Sequence, residues 1–152
     1  MPSVGATTTT TLLLMATSVA IPRTTHAQTP ADSVAIEQAA LDYIQGYYSG
    51  SAERMEKALH PELAKRIVRT TPDGQSSLEQ MNAQTLVEIT RRMAQRPIPE
   101  EEWQDDVTIL DIFENVASVR VDATAWIDYL HLAKWNGEWK IVNVLWETRP
   151  GG

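Results

Sequence analysis

The chain has 152 residues, 43% of them hydrophobic and 22% charged, with 13 Lys+Arg against 20 Asp+Glu for a net charge of −7. That length suits one domain with a sizeable core. The absence of cysteine excludes a disulfide framework and a thiolate metal site, and an acidic chain without a basic stripe excludes the usual nucleic-acid binders and adsorption to anionic lipid.

Met1 to Thr11 is small and hydroxylated, and Leu12 to Ile21 is an apolar run too short to cross a bilayer, so no stable membrane span is expected. Thr25-His26-Ala27 has the small-residue pattern of a cleavage site, although no Lys or Arg precedes the apolar run. Residues 1–27 therefore read as a signal peptide, and the protein is expected to be exported, periplasmic or secreted. Residues 28–32 read as a linker ending in Asp32, a helix N-cap candidate, and residues 33–150 as the folded domain.

Ile36, Ala39, Ala40, Tyr43, Ile44 and Tyr47 recur at helical spacing and predict a first helix over Ser33–Tyr48. Ser49-Gly50 ends it, and Ser51 caps a short second helix over Ala52–Leu59 that His60-Pro61 stops. Ala64–Thr70 reads as a strand, Thr71-Pro72-Asp73-Gly74 as a turn, and a further short strand fits after it. Ser76 with Glu79, or Ser77 with Gln80, has capping-box spacing for a third helix whose inward face takes Met81, Leu86, Ile89, Thr90 and Met93. Arg91, Arg92 and Arg96 suit the C-terminal end of its dipole, and Pro97 and Pro99 break it.

Four strands follow, Val107–Phe113, Val116–Ala123, Trp126–Lys134 and Trp139–Thr148. Turns fall at Glu114-Asn115, between Asp122 and Ala125, and at Asn136-Gly137, the strongest short hairpin signal in the chain. An unbroken two-residue hairpin puts Leu132 opposite Ile141, Leu130 opposite Asn143, Asp128 opposite Leu145 and Trp126 opposite Glu147 on one face. The other face then pairs His131, Tyr129 and Ile127 with Val142, Val144 and Trp146. Both faces are apolar, which asks for a partner on each: helices on one side and a second copy of the chain, as a homodimer, on the other.

Tyr43 and Tyr47 lie one turn apart on the first helix, His60 ends the second, and Trp126, Asp128 and Asn143 interrupt the better core face of the sheet. An apolar pocket with a few convergent polar groups describes a small-molecule site, and these six residues are its candidate lining. In a catalytic version Asp128 is a general base, or a carboxyl kept neutral by burial, and a tyrosine donates to a developing enolate. The plainer roles are core tyrosines with satisfied hydroxyls, a capping His60 and an Asp128 that binds backbone. His60 and His131 are the only histidines after residue 27 and match no ligand spacing, and no nucleophile elbow or phosphate loop occurs, so neither a metal nor a cofactor is expected.

The run from Trp126 to Asn143, with Asp128-Tyr129-Leu130, Leu132, Lys134 and then Gly137, Trp139-Lys140-Ile141-Val142-Asn143, resembles the C-terminal signature of the putative lumazine-binding family of the nuclear-transport-factor-2-like superfamily. Tyr43 to Ser51, followed by Leu59-His60-Pro61-Glu62, resembles its opening, so the likeness spans Ile36 to Thr148. The resemblance implies an α+β fold in which a curved antiparallel sheet is wrapped by three N-terminal helices into a cone, often dimeric through the sheet. It implies no activity, because the superfamily holds isomerases, cyclases, dehydratases and inert binding modules. The reading is an exported, non-catalytic domain that binds a small apolar or aromatic molecule. The alternatives are a ketosteroid-isomerase-like isomerase, cyclase or dehydratase using Asp128 and a tyrosine, and a structural dimerisation module.

Overall fold

A computed structural model describes residues 30–150. The expected signal peptide lies outside the described residues. Pro30–Asp32, expected as linker, is already helix. Pro30 opens α1 (Pro30–Ser49) because the first helical position needs no N–H and accepts the fixed φ of proline. There follow α2 (Ala52–Ala58), β1 (Leu59–Thr70), β2 (Ser76–Asn82), α3 (Ala83–Met93), a short 3-10 turn (Glu100–Glu102), β3 (Asp105–Phe113), β4 (Val116–Ala123), β5 (Trp126–Trp135) and β6 (Glu138–Thr148). None of the described helices is long and apolar enough to cross a membrane.

Ser51 caps α2 as expected, its side chain accepting from Arg54 N. The start of the third helix differs from the expectation. Ser76 and Ser77 do not cap it; they pair with Thr70 and Arg69 in an antiparallel ladder that runs to Ala64–Asn82. The Thr71–Gly74 turn fixes that register, and the ladder takes the backbone groups that a capping box would have used. Asn82 caps α3 instead, accepting from Thr85 N.

The six strands form one sheet in the order β2-β1-β6-β5-β4-β3. Its pairs are antiparallel except β1 with β6, which is parallel, so the sheet is mixed where an antiparallel one was expected. The reason is topological. After α3 the chain starts a meander at the far edge, and its last strand returns beside β1.

Asn136 and Gly137 form the tip of the last hairpin, with φ of 51° and 85°, and Trp135 pairs with Glu138. The register holds to Leu132–Ile141 and then shifts at a β-bulge, which leaves Val142 as the extra residue. Beyond it His131 pairs with Asn143, Leu130 with Val144, Tyr129 with Leu145 and Asp128 with Trp146. The expected allocation of faces is therefore corrected for the open half of β6. Val144 and Trp146 join Asp128 and Leu130, while Asn143 and Leu145 turn to the opposite face.

The inner face of the sheet supplies Val119, Val121, Leu130, Leu132, Ile141 and Val144 to a core closed by Ile36, Ala40 and Ile44 of α1. The outer face leaves Phe113, Val116, Tyr129 and Leu145 exposed. At the α1–α2 corner Gly50 has φ of 73°, and a Cβ there would meet Ala94 N at 2.1 Å. Gly74 has φ of 86° but open space around it. Gly74→Ala is therefore expected to cost roughly 1–2 kcal/mol from backbone strain alone, and Gly50→Ala distinctly more, because Ala94 backbone must move as well. Urea midpoints of the two variants compare them directly; equal losses would contradict this account of the corner.

Candidate functional site

Strand alternation decides which side chains meet beneath α1. In β1 the residues Leu63, Lys65 and Ile67 share the inner face, so an ammonium stands in an apolar row with only 6% of the residue exposed. In β5 the same alternation places Trp126, Asp128 and Leu130 inward, and Asp128 has no exposed surface. Tyr43 and Tyr47 descend from α1 toward them. A buried charge needs partners, and here they are near. Lys65 Nζ donates to Asp128 Oδ1 at 2.6 Å and to Tyr43 Oη at 2.6 Å. Tyr43 Oη donates to Asp128 Oδ2 at 3.1 Å, and Trp126 Nε1 donates to the same oxygen at 2.6 Å. The carboxylate thus accepts from three side chains on three elements.

The aromatic rings around this cluster are arranged edge to face. Trp126 meets Tyr47 with centroids 5.4 Å apart and Trp146 at 6.5 Å. Lys65 Nζ lies 4.8 Å from the Trp146 ring centroid, within cation–π range, and Arg69 Cζ lies 5.4 Å from the same ring. Burial lowers the Lys65 pKa, against the pull of Asp128, which favours the ammonium. Burial pushes the Tyr43 hydroxyl well up, and the Asp128 charge adds to the effect, so Tyr43 remains a protonated donor at any ordinary pH.

Above the cluster lies a cavity of about 150 Å³. Ile44, Tyr47 and Met55 wall it from α1 and α2; Met81, Leu86 and Ile89 close it from the end of β2 and from α3; Trp126 and Trp146 face them from the sheet. Lys65 is the one charged side chain in this lining. Asp128 sits behind Lys65 and Tyr43 and does not line the cavity. Among the described residues no group of three or more His, Asp or Glu side chains is placed to hold a metal ion.

The structure brings four of the six candidates together: Tyr43, Tyr47, Trp126 and Asp128. Two are elsewhere. His60 is the second residue of β1, its Nδ1 accepts from Glu62 N at 3.1 Å, and its ring packs edge-on to Trp135 with centroids 4.8 Å apart. Asn143 is turned outward by the bulge, where it accepts from Arg66 Nη1 at 2.8 Å and contacts His131 Nδ1 at 3.1 Å. Lys65 was missed, although the Leu63-Ala64-Lys65-Arg66-Ile67 pattern carries its signal once β1 is seen to begin at Leu59. An unbroken hairpin register puts Trp146 on the outer face, and the bulge brings it inward opposite Asp128.

A curved sheet packed against helices, with a cavity between α1 and the strands, is the nuclear-transport-factor-2-like fold, and solved structures share it. The chain is similar to an NTF2-like protein of unknown function from Shewanella baltica OS155, with 21% identity over 82% of this chain and 99% of that one and a TM-score of 0.64. It is similar to one from Methylobacillus flagellatus KT, with 22% identity, 82% and 97% coverage and a TM-score of 0.63. A protein of unknown function with a cystatin-like fold from Nostoc punctiforme PCC 73102 matches at 12% identity, 81% and 95% coverage and a TM-score of 0.56. At these identities the likeness is one of fold. The family model described as putative lumazine-binding matches residues 31–147, and the chain belongs to that family. No curated protein matches the sequence.

Removing one member of a buried ion pair leaves the other uncompensated, at a cost of about 3–5 kcal/mol. Lys65→Met is expected to lose that much. Adding Asp128→Asn, which removes the stranded charge and keeps a carbonyl acceptor, is expected to recover about half of it. A double-mutant cycle in urea measures the coupling; strictly additive losses would contradict the pairing.

Proposed function

We propose that this chain is an exported, non-catalytic binding domain whose cavity takes a small, apolar or aromatic molecule of about one ring. The observation that carries the reading is the cavity itself. Its walls are almost wholly apolar, it meets one ammonium, and its volume of about 150 Å³ is the size at which an engineered apolar cavity in another protein holds benzene. The family description, putative lumazine-binding, agrees in the aromatic character of the ligand and differs in ring count, since lumazine has two rings. A two-ring molecule would have to displace the lining residues that keep some exposure, Met81, Ile89 and Tyr47 among them.

Asp128 supports the non-catalytic part. A general base must come within hydrogen-bond reach of the proton it takes. This carboxylate has no exposed surface and three donors already upon it. The isomerase-like alternative would need at least the Lys65 contact, which stands between the carboxylate and the cavity, to yield. The outer sheet face supports a homodimer: Phe113, Val116, Tyr129 and Leu145 are 67%, 53%, 45% and 48% exposed on the side away from the helices, and a self-complementary apolar face suits two-fold pairing. Export rests on the apolar run Leu12–Ile21 and the Ala27 cleavage pattern.

Titration with benzene, followed by ring-current shifts in the NMR spectrum and by melting temperature, is expected to show saturable binding. Ile89→Trp, which fills the cavity from its part-exposed wall, should abolish that binding while the protein stays folded. Absence of saturation in the parent protein would sink the reading. Protein recovered from its own host is expected to start at Gln28, and sedimentation should give a dimer that Tyr129→Glu with Leu145→Glu converts to monomer. An intact N-terminus, or a parent monomer, would overturn those respective parts.

A further inference from the structure

We infer that the cavity selects uncharged ring compounds that carry one hydrogen-bond acceptor, a ketone or similar carbonyl oxygen, set against Lys65 Nζ, and that it rejects the same ring bearing a carboxylate. The inference rests on the ligand-binding reading above and adds the chemical class.

It starts from the proton count at Lys65. An ammonium has three N–H bonds. Two are spent, on Asp128 Oδ1 and Tyr43 Oη, each at 2.6 Å. The third has no oxygen or nitrogen acceptor among the described residues and meets the Trp146 ring, 4.8 Å away at its centroid. Lys65 lines the cavity, so this remaining donor is the charged group that a ligand encounters, with the Tyr47 hydroxyl as a second, neutral polar group of the lining. Trp146 lines the same cavity with its ring, while its indole N–H is buried away from any water-sized space and has no acceptor among the described residues. A charged donor whose third N–H is not spent on an oxygen makes a site for an oxygen.

Charge decides which oxygen. Lys65 and Asp128 cancel, and Tyr43 stays neutral. A second cation, Arg69, lies against Trp146 and is paired with Glu79 at 3.6 Å. The cavity floor is therefore neutral overall. A carboxylate entering it brings a second negative charge close to Asp128, in apolar surroundings, with no second cation to balance it. A neutral carbonyl satisfies the free N–H without that charge. A hydrocarbon of the same shape leaves that donor unpaired.

Three nearly isosteric probes separate these cases: acetophenone, α-methylstyrene and benzoate. Calorimetric titration at neutral pH is expected to rank acetophenone about tenfold tighter than α-methylstyrene, as a hydrogen bond from a charged donor allows, and to show no saturable binding of benzoate. In Lys65→Met with Asp128→Asn the two neutral probes are expected to bind equally. The infrared carbonyl band of acetophenone should move to lower frequency in the parent protein and not in that double variant, a readout that does not depend on affinity. Equal affinity for the two neutral probes in the parent protein, or benzoate as the tightest, would overturn the inference and leave the binding reading standing. Failure of all three to saturate would overturn both.

Discussion

The Lys65 ammonium and the Asp128 carboxylate meet 2.6 Å apart where almost no water reaches either, and the rest of the site depends on that contact. The two residues stand on β1 and β5, with β6 between them. The pair therefore bridges the parallel and antiparallel parts of the sheet. Tyr43 adds α1 to the same knot, and Trp126 fixes the carboxylate from two residues away on its own strand. Four side chains drawn from three elements satisfy one another, which is what lets two charges sit under an apolar cavity.

This arrangement favours a group that holds charge over one that moves a proton. A catalytic carboxylate is left a lone pair facing its substrate, whereas here the lysine stands between the carboxylate and the cavity. The aromatic rings serve the same end. Trp126, Trp146 and Tyr47 give the cavity flat walls whose positions are fixed by contact with each other and with the ammonium. A preformed apolar space with one fixed charged donor suits retention of a small molecule.

Much of the frame was legible because its signals are local. The Asn136-Gly137 tip, the bounds of β4 and the Ser51 cap follow from turn chemistry and alternation that a few residues carry. The bulge at Val142 was not legible, because Ile141, Val142, Val144 and Leu145 are all apolar and either register buries two of them. That one extra residue exchanged Asn143 for Trp146 at the site. Lys65 was hidden for a different reason. A lysine flanked by Arg66 reads as a solvated charge until its strand is known to be interior, and β1 becomes interior only by pairing with β6, some eighty residues away in sequence. Tyr43, Tyr47 and Asp128 were within reach because helical spacing and the hairpin placed each on an inward face. Their meeting with a third strand was not.

The most direct test of this account is ¹⁵N NMR of the Lys65 side chain in the intact protein. The account predicts an ammonium whose Nζ protons exchange slowly with water and show a hydrogen-bond correlation to the Asp128 carboxylate, unlike those of Lys57, Lys134 and Lys140. A neutral amine at Lys65 in the neutral pH range, or protons that exchange as freely as those of the surface lysines, would contradict it.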